Sequence, residues 1–134
     1  MSNNNQSLQV VNAFLTAVQQ GDFEKVGSLL HPEIVWQQPG NNPFSGTQTS
    51  AADVFKMVGG MFQHTANNMA LTAIKTMATH GESVACLLHW SATHPSGKEM
   101  EVDNIDVYTV RNGQIVAAVI YTADEALENM FWNN

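Results

Sequence analysis

The chain has 134 residues and sets 5 basic side chains against 12 acidic ones, a formal net charge of −7. That length suits one hydrophobic core and leaves little room for a second domain. The acidic balance, without any basic stretch, argues against nucleic-acid binding, and no apolar run approaches the roughly 20 residues of a membrane span.

Hydrophobic residues make up 44% of the chain and charged residues 13%. The first figure supports a packed core, and the second is about half the usual share of roughly 25%. The polar start, Met1 to Gln6, lacks a basic segment followed by an apolar one. Cys86 stands alone, so neither a disulfide framework nor a multi-cysteine metal site is expected. These features predict a cytoplasmic domain covering residues 1–134, with no cofactor or metal.

Residues 2–6 read as a frayed tail. From Ser7 to Gln20 the apolar residues Leu8, Val11, Phe14, Leu15 and Val18 recur at helical spacing, with Gly21 at the left-handed C-cap position. Asp22 can cap a short second helix that buries Phe23, Val26, Leu29 and Leu30 and stops at Pro32. Glu33 to Gln37 reads as a strand. Residues 38–47, broken by Pro39, Gly40, Pro43 and Gly46, read as a loop. Ser50 and Asp53 open a third helix with Val54, Met57, Val58, Met61 and Phe62 on one side. Gly59 and Gly60 interrupt it at a cost of about 1 kcal/mol each relative to alanine, which suggests a close approach of another segment.

After Asn68 the period changes to two, and strands fit at 69–79, 82–93, 98–110 and 114–122. Asn112-Gly113 is the strongest hairpin signal. Asp124 can cap a last helix holding Ala126, Leu127, Met130 and Phe131. The order α-α-β-α-β-β-β-β-α indicates an α+β domain with a mostly antiparallel sheet. Residues 115–121 and 84–88 are apolar at every position, where a sheet with one wet face should alternate. The helices can cover only one face, so a second copy is expected on the other, giving a homodimer through the sheet.

Several segments in this order carry a family resemblance. They are Phe14 to Asp22, Leu29 to Trp36, Phe44-Ser45-Gly46 before a helix, and Ile105 to Val116. Over residues 7–131 the chain resembles the nuclear transport factor 2-like (cystatin-like) superfamily, in its ketosteroid isomerase-like and SnoaL-like polyketide cyclase branch. The resemblance implies a cone-shaped domain whose curved sheet wraps around the helices and holds an apolar small-molecule ligand. In the isomerases a carboxylate base and two acids act on an enolate, one acid being an Asp kept protonated by apolar surroundings. The base falls on Gln38, which cannot accept a proton near neutral pH. The phenolic acid falls on Phe14, and the Asp falls on Asp106. The resemblance therefore speaks against the isomerase mechanism as such but keeps Asp106 as a proton or hydrogen-bond donor. An epoxide hydrolase-like activity is a further alternative, with Trp36 and Gln38 at the water-holding position and Asp124 near one acid. A non-catalytic ligand-binding or dimerisation module is another.

Strand parity sets the expected neighbours of Asp106. Val102, Asn104 and Tyr108 share its face. On the last strand the family resemblance places Val116, Ala118, Ile120 and Thr122 inward, with Asp124 at the mouth. Trp36, Gln38, Phe14, Met57, Met61 and Phe62 complete the expected pocket. His89, set among Leu87, Leu88 and Trp90, is a candidate base if it faces inward. Asp124 has the competing role of helix cap, and His89 that of an interface or core histidine.

Overall fold

The computed structural model describes residues 3–133. Helix α1 runs Asn3–Gln20 and α2 Phe23–Leu29, followed by strands β1 Leu30–Gln38 and β2 Gly46–Gln48. Helix α3 spans Ala51–His64, then come β3 Met69–His80, β4 Ser83–Thr93, β5 Glu99–Arg111, β6 Gln114–Thr122 and helix α4 Glu125–Trp132. The six strands form one curved, open sheet in the order β2-β1-β6-β5-β4-β3. Only β1 and β6 pair in parallel; the other neighbours are antiparallel. This is the α+β architecture that the element order predicted.

The local signals explain most boundaries. Gly21, at φ +69°, ends α1 in the left-handed region that an L side chain resists. Asp22 caps α2 through the Lys25 amide, Ser50 caps α3 through the Asp53 amide, and Asp124 caps α4 through the Leu127 amide. Asn112 and Gly113, at φ 52° and 77°, form the expected tight turn between β5 and β6. A Cβ on Gly60 would lie 2.8 Å from the Phe44 ring, so this glycine lets the loop before β2 press against α3.

Six expectations change. Phe23, expected on the buried side of α2, is 44% exposed. Residues 3–6 are helical and extend α1, and β1 begins at Leu30, ahead of Pro32. The segment 38–47, expected as a loop, runs into the short strand β2, which begins at Gly46 and with only three residues is too short to show a period of two. On β6 a register shift opposite Thr109 and Val110 turns Ile115 inward and leaves Val116 half-buried. On α4 the buried stripe is Glu128, Phe131 and Trp132, while Met130 is 67% exposed.

Helices α1, α2 and α3 pack on one face of the sheet. The main core joins Val11, Phe14 and Leu15 of α1 to Ile34, Val84, Leu88 and Tyr108 of the strands. A second apolar cluster at the α4 end contains Met61, Met100, Val102, Phe131 and Trp132. No helix among the described residues is long and apolar enough to cross a membrane.

Candidate active site

Between the helices and the sheet lies a cavity of about 100 Å³. A single buried water needs about 10–15 Å³ by the same measure, so the cavity has room for several waters or for part of a ligand. Its walls are mainly aromatic, aliphatic and thioether side chains. Phe14, Trp36 and Tyr108 enclose one side, with ring centroids 5.5 to 6.4 Å apart. Met57, Met61 and Phe62 of α3, with Trp90, Met100 and Ile120 of the sheet, form other walls.

Asp106 stands in this apolar setting and is 4% exposed. Tyr108, two residues on and on the same face of β5, donates its hydroxyl hydrogen to Asp106 Oδ2 at 2.6 Å. Burial pushes the Asp106 pKa up to about 7; the Tyr108 hydrogen bond opposes that rise and the charge of Glu128 adds to it. Oδ2 is already an acceptor, so the acid proton belongs on Oδ1, which has no protein partner. Burial and the nearby acid also hold Tyr108 well above its ordinary pKa, so it remains a phenol. Cys86, opposite Asp106 on β4, is fully buried and its thiol is pushed up to about 12, which makes it an inert part of the core.

Three more polar groups share the cavity with unmet hydrogen-bonding capacity. Asn104 Oδ1, Glu128 Oε2 and Trp132 Nε1 are buried without a hydrogen-bond partner of full geometry. Buried polar atoms are normally paired, because leaving one unpaired costs about 1–3 kcal/mol. Four such atoms, counting Asp106 Oδ1, therefore mark a polar patch within an otherwise apolar hollow. Burial also raises the pKa of Glu128; the side chains of Thr122 and Trp132 act in the opposite direction.

Phe14, Trp36, Gln38, Met57, Met61, Phe62, Asn104, Tyr108 and Ile120 all line the cavity with Asp106. Ala118 points inward but is sealed into the core. Thr122 is not part of the cavity wall, and Asp124 serves as the cap of α4. His89 does not face inward. Its register partner is Asp103, whereas Asp106 pairs with Cys86, so His89 lies on the opposite face of the sheet. There Nδ1 meets Asp103 Oδ1 at 2.7 Å and Nε2 meets Glu101 Oε1 at 3.1 Å, while Lys75 grips both oxygens of Asp103. Those hydrogen bonds raise the His89 pKa, and the imidazole cannot act on a ligand beside Asp106.

The sequence reading missed Glu128, Trp132, Trp90 and Met100. The spacing of Glu128, Phe131 and Trp132, three and four residues apart, was the available sign that the glutamate lies on the aromatic side of its helix. Gln38 is in the wall as expected, but its Oε1 accepts the Trp36 indole hydrogen at 2.9 Å, which fixes the amide.

The comparisons with known proteins agree with this architecture. A family model described as SnoaL-like domain matches residues 11–118. A protein of unknown function with a cystatin-like fold from Xanthomonas campestris is 29% identical, with both chains covered over 100% and a TM-score of 0.91. An NTF2-like protein of unknown function from Burkholderia pseudomallei is 23% identical over 100% of both chains, with a TM-score of 0.84. TerC, co-crystallised with polyporic acid, is 18% identical over 94% of this chain and 98% of its own, with a TM-score of 0.82. No curated protein matches the sequence.

Proposed function

The chain belongs to the SnoaL-like domain family, and on that footing we propose that it binds an apolar ring-containing small molecule in the cavity and acts on it as an isomerase or cyclase. Asp106 is the proposed acid. Its protonated Oδ1 gives a hydrogen bond, or its proton, to a carbonyl oxygen of the ligand as negative charge develops there. Tyr108 holds Oδ2 and thereby the orientation of the carboxyl group. The apolar walls exclude water, so a single well-placed donor has more effect than it would in solvent.

The observation that carries this reading is the unpartnered Oδ1 of Asp106, buried beside a hollow and held by Tyr108 from the other side. A panel of ring ketones and epoxides tests it, with binding followed by NMR and conversion by mass spectrometry. Asp106→Asn is expected to lower any conversion by about 10²–10⁴-fold, the usual contribution of a positioned acid. Full activity in that variant contradicts the reading.

A second reading, a binding module without chemistry, is favoured by Gln38. The position where the isomerases carry their base holds an amide locked to Trp36. Tight binding of a ring ketone without conversion selects this reading.

Both readings include a homodimer. Val35, Ile105 and Tyr121 are 40%, 48% and 56% exposed on the outer face of the sheet. Ile105 is registered against Tyr121 and Leu87, and Val107 against Val119 and Ala85, which makes one apolar band. Such a band on a second copy is its natural cover.

A further inference from the structure

We propose that Glu128 is the carbon base of this cavity, working with Asp106 as a pair of carboxyl groups on one uncharged enolisable ketone. The proposal rests on the reading of the cavity as a site for ring ketones. It fills the gap left by Gln38, whose amide cannot take a proton. Glu128 lies on α4 and is 6% exposed, with Oε2 unpartnered and the side chain in the cavity wall. It lines the same cavity as Asp106; its charge raises the Asp106 pKa, and the Asp124 and Glu125 carboxylates at the start of α4 raise its own. Two carboxyl groups so placed do not both ionise readily, so a state with one proton between them is favoured. That state supplies one acid and one base at the same time.

The step balances without a cofactor. Ionised Glu128 removes a proton from the carbon beside the ligand carbonyl, and the C–H electrons form the new carbon–carbon double bond. The carbonyl oxygen takes the proton from Asp106. The products are the enol, neutral Glu128 and ionised Asp106. Return of the Glu128 proton to the same carbon, or to one conjugated with it, restores the ketone or isomerises it, and Asp106 recovers its proton from oxygen. Among the described residues the cavity wall contains no Lys, Arg or His. An anionic ligand would meet two acids and no compensating cation, so the pair selects an uncharged one. Asn104, with an unmet Oδ1 at the same site, offers a further acceptor to a ligand hydroxyl, while the Trp132 side chain favours the ionised form of Glu128.

2-Tetralone, an uncharged bicyclic ketone with acidic protons beside its carbonyl, serves as the test compound. Its binding and its exchange of those protons into D2O are followed by NMR. The wild-type protein is expected to bind it and to speed exchange over buffer, with a bell-shaped pH profile. Glu128→Gln is expected to lower the exchange rate about 100-fold or more, to abolish the limb of the profile belonging to the base, and to leave the dissociation constant within about threefold. If that variant does not fold, Glu128→Asp carries the test, because withdrawing the carboxyl by one methylene should cut the rate while retaining the profile. Exchange unchanged in the variant overturns the role of Glu128, as does tetralone bound by the wild-type protein without any exchange. Failure of the wild-type protein to bind tetralone at all overturns the reading of the cavity itself.

Discussion

The Tyr108 hydroxyl points its hydrogen at one oxygen of Asp106 and leaves the other oxygen facing the cavity unpaired. This arrangement follows from the pleat of β5, which sets residues two apart side by side on one face. It fixes which oxygen carries the acid proton, and it moderates the effect of burial on the carboxyl group. Tyr108→Phe removes the one bond that favours the ionised form while keeping the ring. The Asp106 pKa is therefore expected to rise further in that variant, with a stability loss of about 1 kcal/mol. Carboxyl carbon-13 NMR and urea unfolding measure the two effects.

Burial of Asp106 also makes stability depend on pH. Its pKa is about 7 in the folded chain and near 4 when unfolded. Between those values the folded state holds more protons than the unfolded state, so stability falls as pH rises. The contribution is fully present below about pH 4 and is lost by about pH 7, and a shift of about three units amounts to as much as about 4 kcal/mol. Glu128, raised by burial, acts in the same direction. The difference in unfolding free energy between Asp106→Asn and the wild-type protein isolates the Asp106 part. That difference is expected to move in favour of the variant between pH 5 and pH 8.

The outer face of the sheet yields a separate expectation. Ile105 and Tyr121 are registered neighbours at the centre of the apolar band. Analytical ultracentrifugation is expected to give twice the 14.6 kDa chain mass. Ile105→Glu together with Tyr121→Glu is expected to give the single-chain mass with unchanged far-UV circular dichroism. A monomeric wild-type protein contradicts the homodimer.

Asn129 ties α4 to the loop that follows β1. Its Oδ1 accepts the Asn41 amide hydrogen at 2.7 Å and an Asn42 side-chain hydrogen at 3.0 Å. Asn129→Ala breaks both bonds and is expected to cost about 1–2 kcal/mol. Because α4 also carries Glu128 and Trp132 into the cavity wall, affinity for a bound ring ketone should fall as well. Thermal melting and NMR titration report the two losses.

His89 supplies a contrast. On the outer face it meets Asp103 and Glu101, and its link to the cavity is severed by the sheet itself. His89→Gln is expected to leave binding of ring ketones within twofold of the wild-type value, which the same titration checks.

Much of this was legible in the sequence wherever its pattern had a phase. Asn104, Asp106 and Tyr108 alternate with partly or fully exposed neighbours on β5, and parity alone placed them together. His89 follows an unbroken apolar run, where period two has no phase to read, so its face was undetermined until the pairing with β5 fixed it. On β6 the bulge near Val116 altered the parity locally, a backbone event that side-chain pattern does not reveal. Glu128 was hidden because an acidic residue in a short capped helix ordinarily faces water; its aromatic companions Phe131 and Trp132 turn that face inward.

The most direct test is a carboxyl carbon-13 NMR titration of Asp106 in the wild-type protein. The Asp106 resonance is expected to titrate near pH 7. An Asp106 that titrates near pH 4, like a carboxylate in water, contradicts that expectation.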